Sequence, residues 1–306
     1  MSSSVAEGVD PGRPPRQDPA RDAGAAGAEA AGATERTGAA VRAGMLVAEV
    51  GARNGVRATA LIDPAEHRAA SAVLQRIWGH PDGAPLPPEM LRAFAYTGNY
   101  VGAVLDGNRI VGVSTAFRTD HGVLHSHIAG VLAEYRGRSI GYLLKLHQRA
   151  WALEHGIGSI AWTFDPLIRR NAHFNLVKLG AAATDYLCDF YGEMTDQINV
   201  GERSDRLLVE WDLLGPVPGR PIAPEPDAVR VLDLDEHGGP VRRPGSDTDR
   251  LLQVPLDMEA LRRKDPALGG RWRMALRATF TEAFDDGHRI VGMDDNNAYI
   301  TRKERP

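Results

Sequence analysis

Between Val56 and Leu214 the apolar positions alternate between a two-residue period and a helical one, as strands alternating with helices do. Arg57 to Ile62 predicts a strand, and Asp63-Pro64 caps a helix to about Trp78 with Pro in its first turn. His80 to Pro88 is expected as a loop, and a short helix follows to Tyr96. Strands are predicted over Tyr100 to Leu105 and Arg109 to Phe117, joined at the hairpin signal Asp106-Gly107-Asn108. Gly122 turns the chain into a strand from Val123 to Val131, and Ile140, Leu143, Leu144, His147 and Trp151 then recur at helical spacing. Ser159 to Phe164 reads as a strand, Arg169 to Leu179 as a helix closed by Gly180. Tyr186 to Tyr191 and Leu207 to Trp211 read as strands. The order β-α-α-β-β-β-α-β-α-β-β is that of an α/β domain over residues 56–214.

The flanks have a different texture. Residues 1–55 are Ala, Gly, Pro, Arg and Glu with few large apolar anchors, which predicts a disordered tail, and Met45 is an alternative translation start. Residues 215–249 are rich in Pro and Gly and read as a linker, interrupted only by the strand-like Val229-Arg230-Val231-Leu232. Over residues 250–306 order returns. Trp272, Leu276, Phe280 and Phe284 mark one apolar helix face, Gly287 ends that helix, and Ile290 to Met293 with Ala298 to Ile300 flank a polar turn as a hairpin. This C-terminal helix and hairpin are expected to pack on the core, to cover the acceptor side of a site, or to form a homodimer contact.

Chemistry concentrates at Val131-Leu132-Ala133-Glu134-Tyr135-Arg136-Gly137-Arg138-Ser139-Ile140-Gly141, an apolar run, a basic glycine-containing turn and a helix start. A strand feeding a helix through such a turn aims free backbone N–H groups and the positive end of the helix at one point, which binds an anion such as phosphate. The nucleoside triphosphatase pattern G-x-x-x-x-G-K-[ST] is absent, and no G-x-G-x-x-G opens a first βαβ unit. The segment resembles the acyl-CoA pyrophosphate loop of the GNAT N-acetyltransferase superfamily, [Q/R]-x-x-G-x-[G/A], with Ser139 where a glycine is usual. Asn171-Ala172-His173-Phe174-Asn175-Leu176-Val177-Lys178-Leu179-Gly180 resembles that superfamily's next motif. Leu176 stands where many members carry a tyrosine that protonates the departing thiolate. From about residue 57 the wording is also similar to an uncharacterised bacterial branch of acetyltransferases.

The resemblance implies a mixed sheet with helices on both faces, with acetyl-CoA or another acyl-CoA as co-substrate. It implies that backbone at Ala129, Gly130 and Val131 pairs with the pantetheine arm. It also implies that Arg136, Gly137, Arg138, Ser139, Ile140, Gly141 and Asn171 hold the cofactor. Two strands are expected to splay, and a carboxylate introduced at Gly137 should be better tolerated by the fold than one at Gly141. The activity implied is N-acyl transfer to a primary amine, most simply of a small molecule. The alternative is a silent CoA-binding or interaction protein, favoured by Leu176 and Ser139.

For the proton of the amine, His127 is the leading candidate, with Asp165 and Glu134 as carboxylates. His125 and His127 share a strand face by the two-residue period, and an imidazole titrates near neutrality. Both histidines are equally readable as half-buried structural groups, and Asp165 as a simple helix cap. Tyr135, Tyr142, Tyr186 and Tyr191 are candidate acids. Lys145 and Arg149 are read as a solvated helix face or as partners of the adenosine 3′-phosphate. His121, His125 and His127 lack a carboxylate to complete a metal set, so no metal is expected.

Composition narrows the class. The chain has 306 residues, 43% hydrophobic, enough for a sizeable core, and a net charge of −4 gives no field for nucleic acid or an anionic membrane. Cys188, the single cysteine, excludes an internal disulfide and is expected to be buried. No apolar run reaches the length of a membrane span, and Met1-Ser2-Ser3-Ser4 does not open a secretory signal, so a cytoplasmic enzyme is expected.

Overall fold

The computed structural model describes residues 19–79, 83–192, 203–215, 217 and 219–304, with side chains from residue 34 onward. The expected loop at His80 to Pro88 lies partly outside these residues, as do the first 18 residues of the expected tail.

A seven-stranded mixed sheet forms the larger layer, in the order β1-β2-β3-β4-β5-β7-β6. Its strands are β1 (Arg57–Ala60), β2 (Tyr100–Asp106), β3 (Arg109–Arg118), β4 (Leu124–Val131), β5 (Ser159–Phe164), β6 (Ala182–Leu187) and β7 (Arg206–Asp212). The β2–β3 hairpin turns at Gly107 with φ +57°, the left-handed geometry that the Asp-Gly-Asn signal calls for. Asp63 accepts from the Ala65 amide, and Glu66 returns to the Asp63 amide, a capping box that starts α2 (Pro64–Trp78). With α3 (Pro88–Tyr96) this helix covers one face of the sheet; α4 (Ile140–Glu154) covers the other. The strand expected at Tyr186 to Tyr191 lies earlier, at β6, and leaves Cys188 exposed rather than buried.

The N-terminal flank is a helix where a disordered tail was expected. α1 (Pro19–Arg53) lies along α4, with Ala39, Ala43 and Val50 buried at helical spacing against it. Alanine carries the highest helix propensity, and a stripe of small side chains lets two helix backbones approach closely. At Gly51 the tight contact is with the turn that ends α1, where a Cβ would meet the Val56 carbonyl oxygen at 2.8 Å, while Leu143 Cδ2 of α4 lies at 3.9 Å. Large anchors are not needed for such a contact, which is why their scarcity misleads.

The expected linker at 215–249 is also structured. Its strands β8 (Val229–Leu234) and β9 (Pro240–Arg242) join β10 (Arg250–Leu252), β11 (His288–Met293) and β12 (Tyr299–Lys303) in a second sheet, ordered β11-β12-β10-β8-β9. Between β10 and β11 run α6 (Met258–Lys264) and α7 (Pro266–Asp285). The strands are three to six residues long, too short to show a period between prolines and glycines. They hold because Val231 and Leu232 bury against Trp272 and Leu276 of α7 in one core with Trp162, Trp211 and Tyr299. Asp249 ties the segment further, accepting from the Glu225 amide and from Arg302.

Candidate functional site

Strands β4 and β5 run parallel but pair only at Leu124 with Ile160 and at His125 with Ala161. Among the described residues, the β5-facing edge of β4 has no strand partner from Ser126 to Val131, and the two strands splay from that point. On its other edge β4 carries a bulge. Ala116 pairs with Ser126 and Thr115 with Ile128, leaving His127 as the extra residue.

Beyond Val131 the chain makes one 3₁₀ turn, Ala133–Tyr135, and enters the glycine loop. Gly137 has φ +79° and Ser139 φ +59°, both left-handed, and α4 starts at Ile140. Ser139 thus occupies a conformation that a glycine would adopt without cost. Among the described residues, the amides of residues 137–142 find no acceptor at good hydrogen-bond geometry, although residues 136–139 form a turn. Such a row of N–H groups at the start of a fifteen-residue helix is able to hold an anion, and exposed Arg136 and Arg138 flank it. Arg138 lies over the Tyr135 ring, 5.0 Å from its centroid, which orients its guanidinium beside the loop.

On the α2/α3 side of the splay, Phe117 lies 5.0 Å from His125 and 6.0 Å from His127. Partial desolvation lowers the pKa of both imidazoles, and the neighbouring His127 lowers that of His125 further. His127 is exposed at the strand surface and neutral near pH 7, the state that a base requires. Across the splay on β5, Thr163 Oγ1 meets Tyr191 Oη at 3.3 Å. Ala129 is exposed on β4, and Asn171 is half-buried on α5 (Arg169–Ala172), a short helix that continues as a π turn over His173–Lys178.

The two carboxylates have other work. Asp165 is buried and receives both arms of Arg273 at 2.7 Å, Arg262 at 3.0 Å and the Leu167 amide at 2.9 Å. Burial alone would push its carboxyl up, but the Arg273 guanidinium outweighs that and, with Arg262, holds it well below the usual range. A carboxylate so held is a poor base; it fastens α7 to the end of β5. Glu134 is exposed, bonded to Arg109 at 2.7 Å and Arg76 at 3.1 Å. Its own backbone amide and these arginines lower its pKa, and it too is an anchor. Of the three expected proton acceptors, only His127 stands without a charged partner.

The model of the acetyltransferase (GNAT) family matches residues 67–180, a span that runs from α2 through the splay and the loop to the end of the π turn. These residues form a GNAT-family acetyltransferase domain. Solved structures with this likeness include a GNAT-family acetyltransferase of Streptococcus pneumoniae (15% identity, 51% of this chain and 97% of that one, TM-score 0.43). A second is the ribosomal-protein-S18-alanine N-acetyltransferase of Escherichia coli (13%, 56% and 97%, TM-score 0.41). A third is a protein of Salmonella typhimurium, assigned as an acetyltransferase and solved with acetyl-CoA (14%, 52% and 94%, TM-score 0.41). No curated protein matches the chain. Among the described residues, no helix is long and apolar enough to cross a membrane.

Within this acetyltransferase domain the expected acids are largely occupied. Leu176 is a buried core residue with no proton to give. Tyr135 donates to Asp106 and Tyr186 to Asp205, each at 2.7 Å, while Tyr142 lies under Lys178. Arg149 is not solvated; it donates to the Leu213 carbonyl at 3.0 and 2.5 Å. Lys145 is not solvated either, and its burial is what sequence reasoning missed. Only 5% of it is exposed, and its ammonium donates to Ser126 Oγ at 2.8 Å and to Gln148 Oε1 at 3.3 Å. Its pattern position, between Leu144 and Leu146 on an apolar helix, was the one available signal.

Proposed function

We propose that the chain is a CoA-dependent N-acyltransferase that carries an acetyl group from acetyl-CoA directly to a primary amine of a small molecule. The observation that carries the reading is the row of amides at the N-terminus of α4, opening onto the splayed strands β4 and β5. A pyrophosphate on the loop would lead a pantetheine arm along Ala129 to Val131. Holding amine and thioester as a near-attack pair contributes roughly 7–11 kcal/mol to such a transfer. His127, neutral and exposed beside the splay, is the group we assign to take the proton of the amine. Isothermal titration with acetyl-CoA tests the cofactor half of this reading, and no binding at millimolar concentration would overturn it. Thiol release across a panel of amines tests the other half. Binding with no release from any amine would favour a silent CoA-binding protein, the reading that Leu176 at the usual acid position supports.

His127→Ala is expected to lower turnover by about 10²–10³-fold while leaving acetyl-CoA affinity nearly intact, as loss of a general base does. Because the pKa of His127 is lowered, the neutral base is present at pH 7. The acid limb of wild-type turnover should then lie below the ordinary histidine range. That acid limb should vanish in the variant. Full turnover with an unchanged pH profile in His127→Ala would remove His127 from the site.

A further inference from the structure

A lysine ammonium is among the costliest groups to bury, and buried lysines are commonly paired with a carboxylate. Both hydrogen bonds of Lys145 go to neutral groups, Ser126 Oγ and Gln148 Oε1, and its Nζ lies 3.6 Å from the centroid of the Trp162 ring. These neighbours define its place. The last paired residues of the two splaying strands are His125 and Ala161, so Ser126 and Trp162 are the first residue of each strand beyond the pairing. Lys145 reaches up from α4 and sets its ammonium between them, at the floor of the splay. Beside it the Gln148 side chain is fully buried, and its Nε2 has no hydrogen-bond partner. Among the described residues, the floor therefore carries two donors and no anion to receive them.

The surrounding charges do not supply one. His125 of β4 has its pKa lowered in part by Lys145 itself. Tyr100 of β2 is bonded to His147 of α4 at 2.8 Å, and burial drives that imidazole down to about 4, leaving it neutral. Arg149 is turned to the Leu213 carbonyl, Arg42 of α1 acts on Arg149, and Lys178 of the π turn lies over Tyr142. Burial lowers the pKa of Lys145 to about 7.

Resting on the acyltransferase reading above, we propose that Lys145 is the proton donor to the departing thiolate, in the role that Leu176 cannot fill. As the amine nitrogen attacks the thioester carbonyl, the C–N bond forms, the C–S bond breaks and the electron pair stays on sulfur. Lys145 Nζ–H⁺ passes its proton to that sulfur, leaving a neutral amine that solvent reprotonates; the proton of the attacking amine leaves separately through the base. Ser126 Oγ and Gln148 Oε1 hold the ammonium at the floor in the meantime. A donor titrating near neutrality is a stronger acid than an alkyl thiol, so the transfer runs downhill.

The test needs no acyl acceptor. Free CoA is bound to the wild type and to Lys145→Met, which keeps the length and apolar stem, and to Lys145→Gln as a second variant. Affinity is measured by isothermal titration, and the thiol of the bound CoA is titrated through the ultraviolet absorbance of its thiolate. A thiolate at contact distance from the ammonium titrates as a pair with it, so part of the thiolate absorbance of the wild type should develop near pH 7, together with the lysine, and none should develop there in either variant. CoA affinity should stay within about threefold in all three, because the pyrophosphate loop is untouched. Equal thiol titration in wild type and variants, with CoA bound, overturns the proposal and makes Lys145 a structural cation. Failure of the wild type to bind CoA would instead overturn the acyltransferase reading.

Discussion

Gly141→Asp is expected to abolish acetyl-CoA binding, a loss of at least about 100-fold, while leaving the fold intact. Gly141 is the second residue of α4 and lies within the row of amides at 137–142. A carboxylate there occupies the anion site with like charge and presents its own oxygens to the amides that a pyrophosphate would use. The same substitution does not harm the helix. A Cβ at Gly141 would find only Val131 Cγ2, at 3.8 Å, and an acidic residue in the first turn favours the helix dipole by roughly 0.3–1 kcal/mol. Gly137 is the harder position to replace, contrary to the order expected from sequence. Its φ of +79° lies in the left-handed region, where a side chain costs about 1–2 kcal/mol. Circular dichroism and isothermal titration on both variants check this. Wild-type affinity in both would place the cofactor elsewhere.

Asp165→Ala is expected to cost about 3–5 kcal/mol of stability, read as a lowered denaturation midpoint, because it removes the carboxylate from a buried ion pair. The Arg273 side chain is 4% exposed, and Arg262 and Arg273 both point at Asp165. The loss should fall first on the contact between β5 and α7, and hydrogen exchange in α7 should rise. Neighbouring contacts across the same seam, Arg277 with Asp205 and Tyr299 Oη with the Pro166 carbonyl, would then carry it alone. The sign of the pH dependence follows from the depressed pKa. The stabilisation from Asp165 is fully present above the ordinary carboxylate range and is lost as pH falls through its lower folded value. Wild-type stability should therefore fall in acid more steeply than that of Asp165→Ala. A stable Asp165→Ala protein with turnover reduced as by loss of a base would restore Asp165 to the catalytic set.

Most of the domain from β1 to β7 was legible because its signals are local. Asp106-Gly107-Asn108 imposes a hairpin by its own backbone preferences, and Asp63 with Glu66 closes a capping box within four residues. The run from Val131 to Gly141 needs no distant partner to expose its amides, since a left-handed turn before a helix suffices. In the second sheet β8 and the β11–β12 hairpin were legible, whereas β9, β10 and α1 were not. Three-residue strands have no period to read, and the stripe of Ala39, Ala43 and Val50 acquires meaning only when α4 lies against it.

The sequence alone determined the order of elements over 56–214, the anion loop, and the short list of side chains able to titrate near neutrality. Tertiary structure decided what each of those side chains is for, because a pKa depends on what surrounds the group and not on its place in the chain. It put two arginines from the C-terminal helices on Asp165, which removed it from the bases. It inserted a bulge at His127, which changed the strand period on which its facing had been argued. It also carried Lys145 from an expected helix surface to the floor between β4 and β5, where burial brings its ammonium to the edge of neutrality.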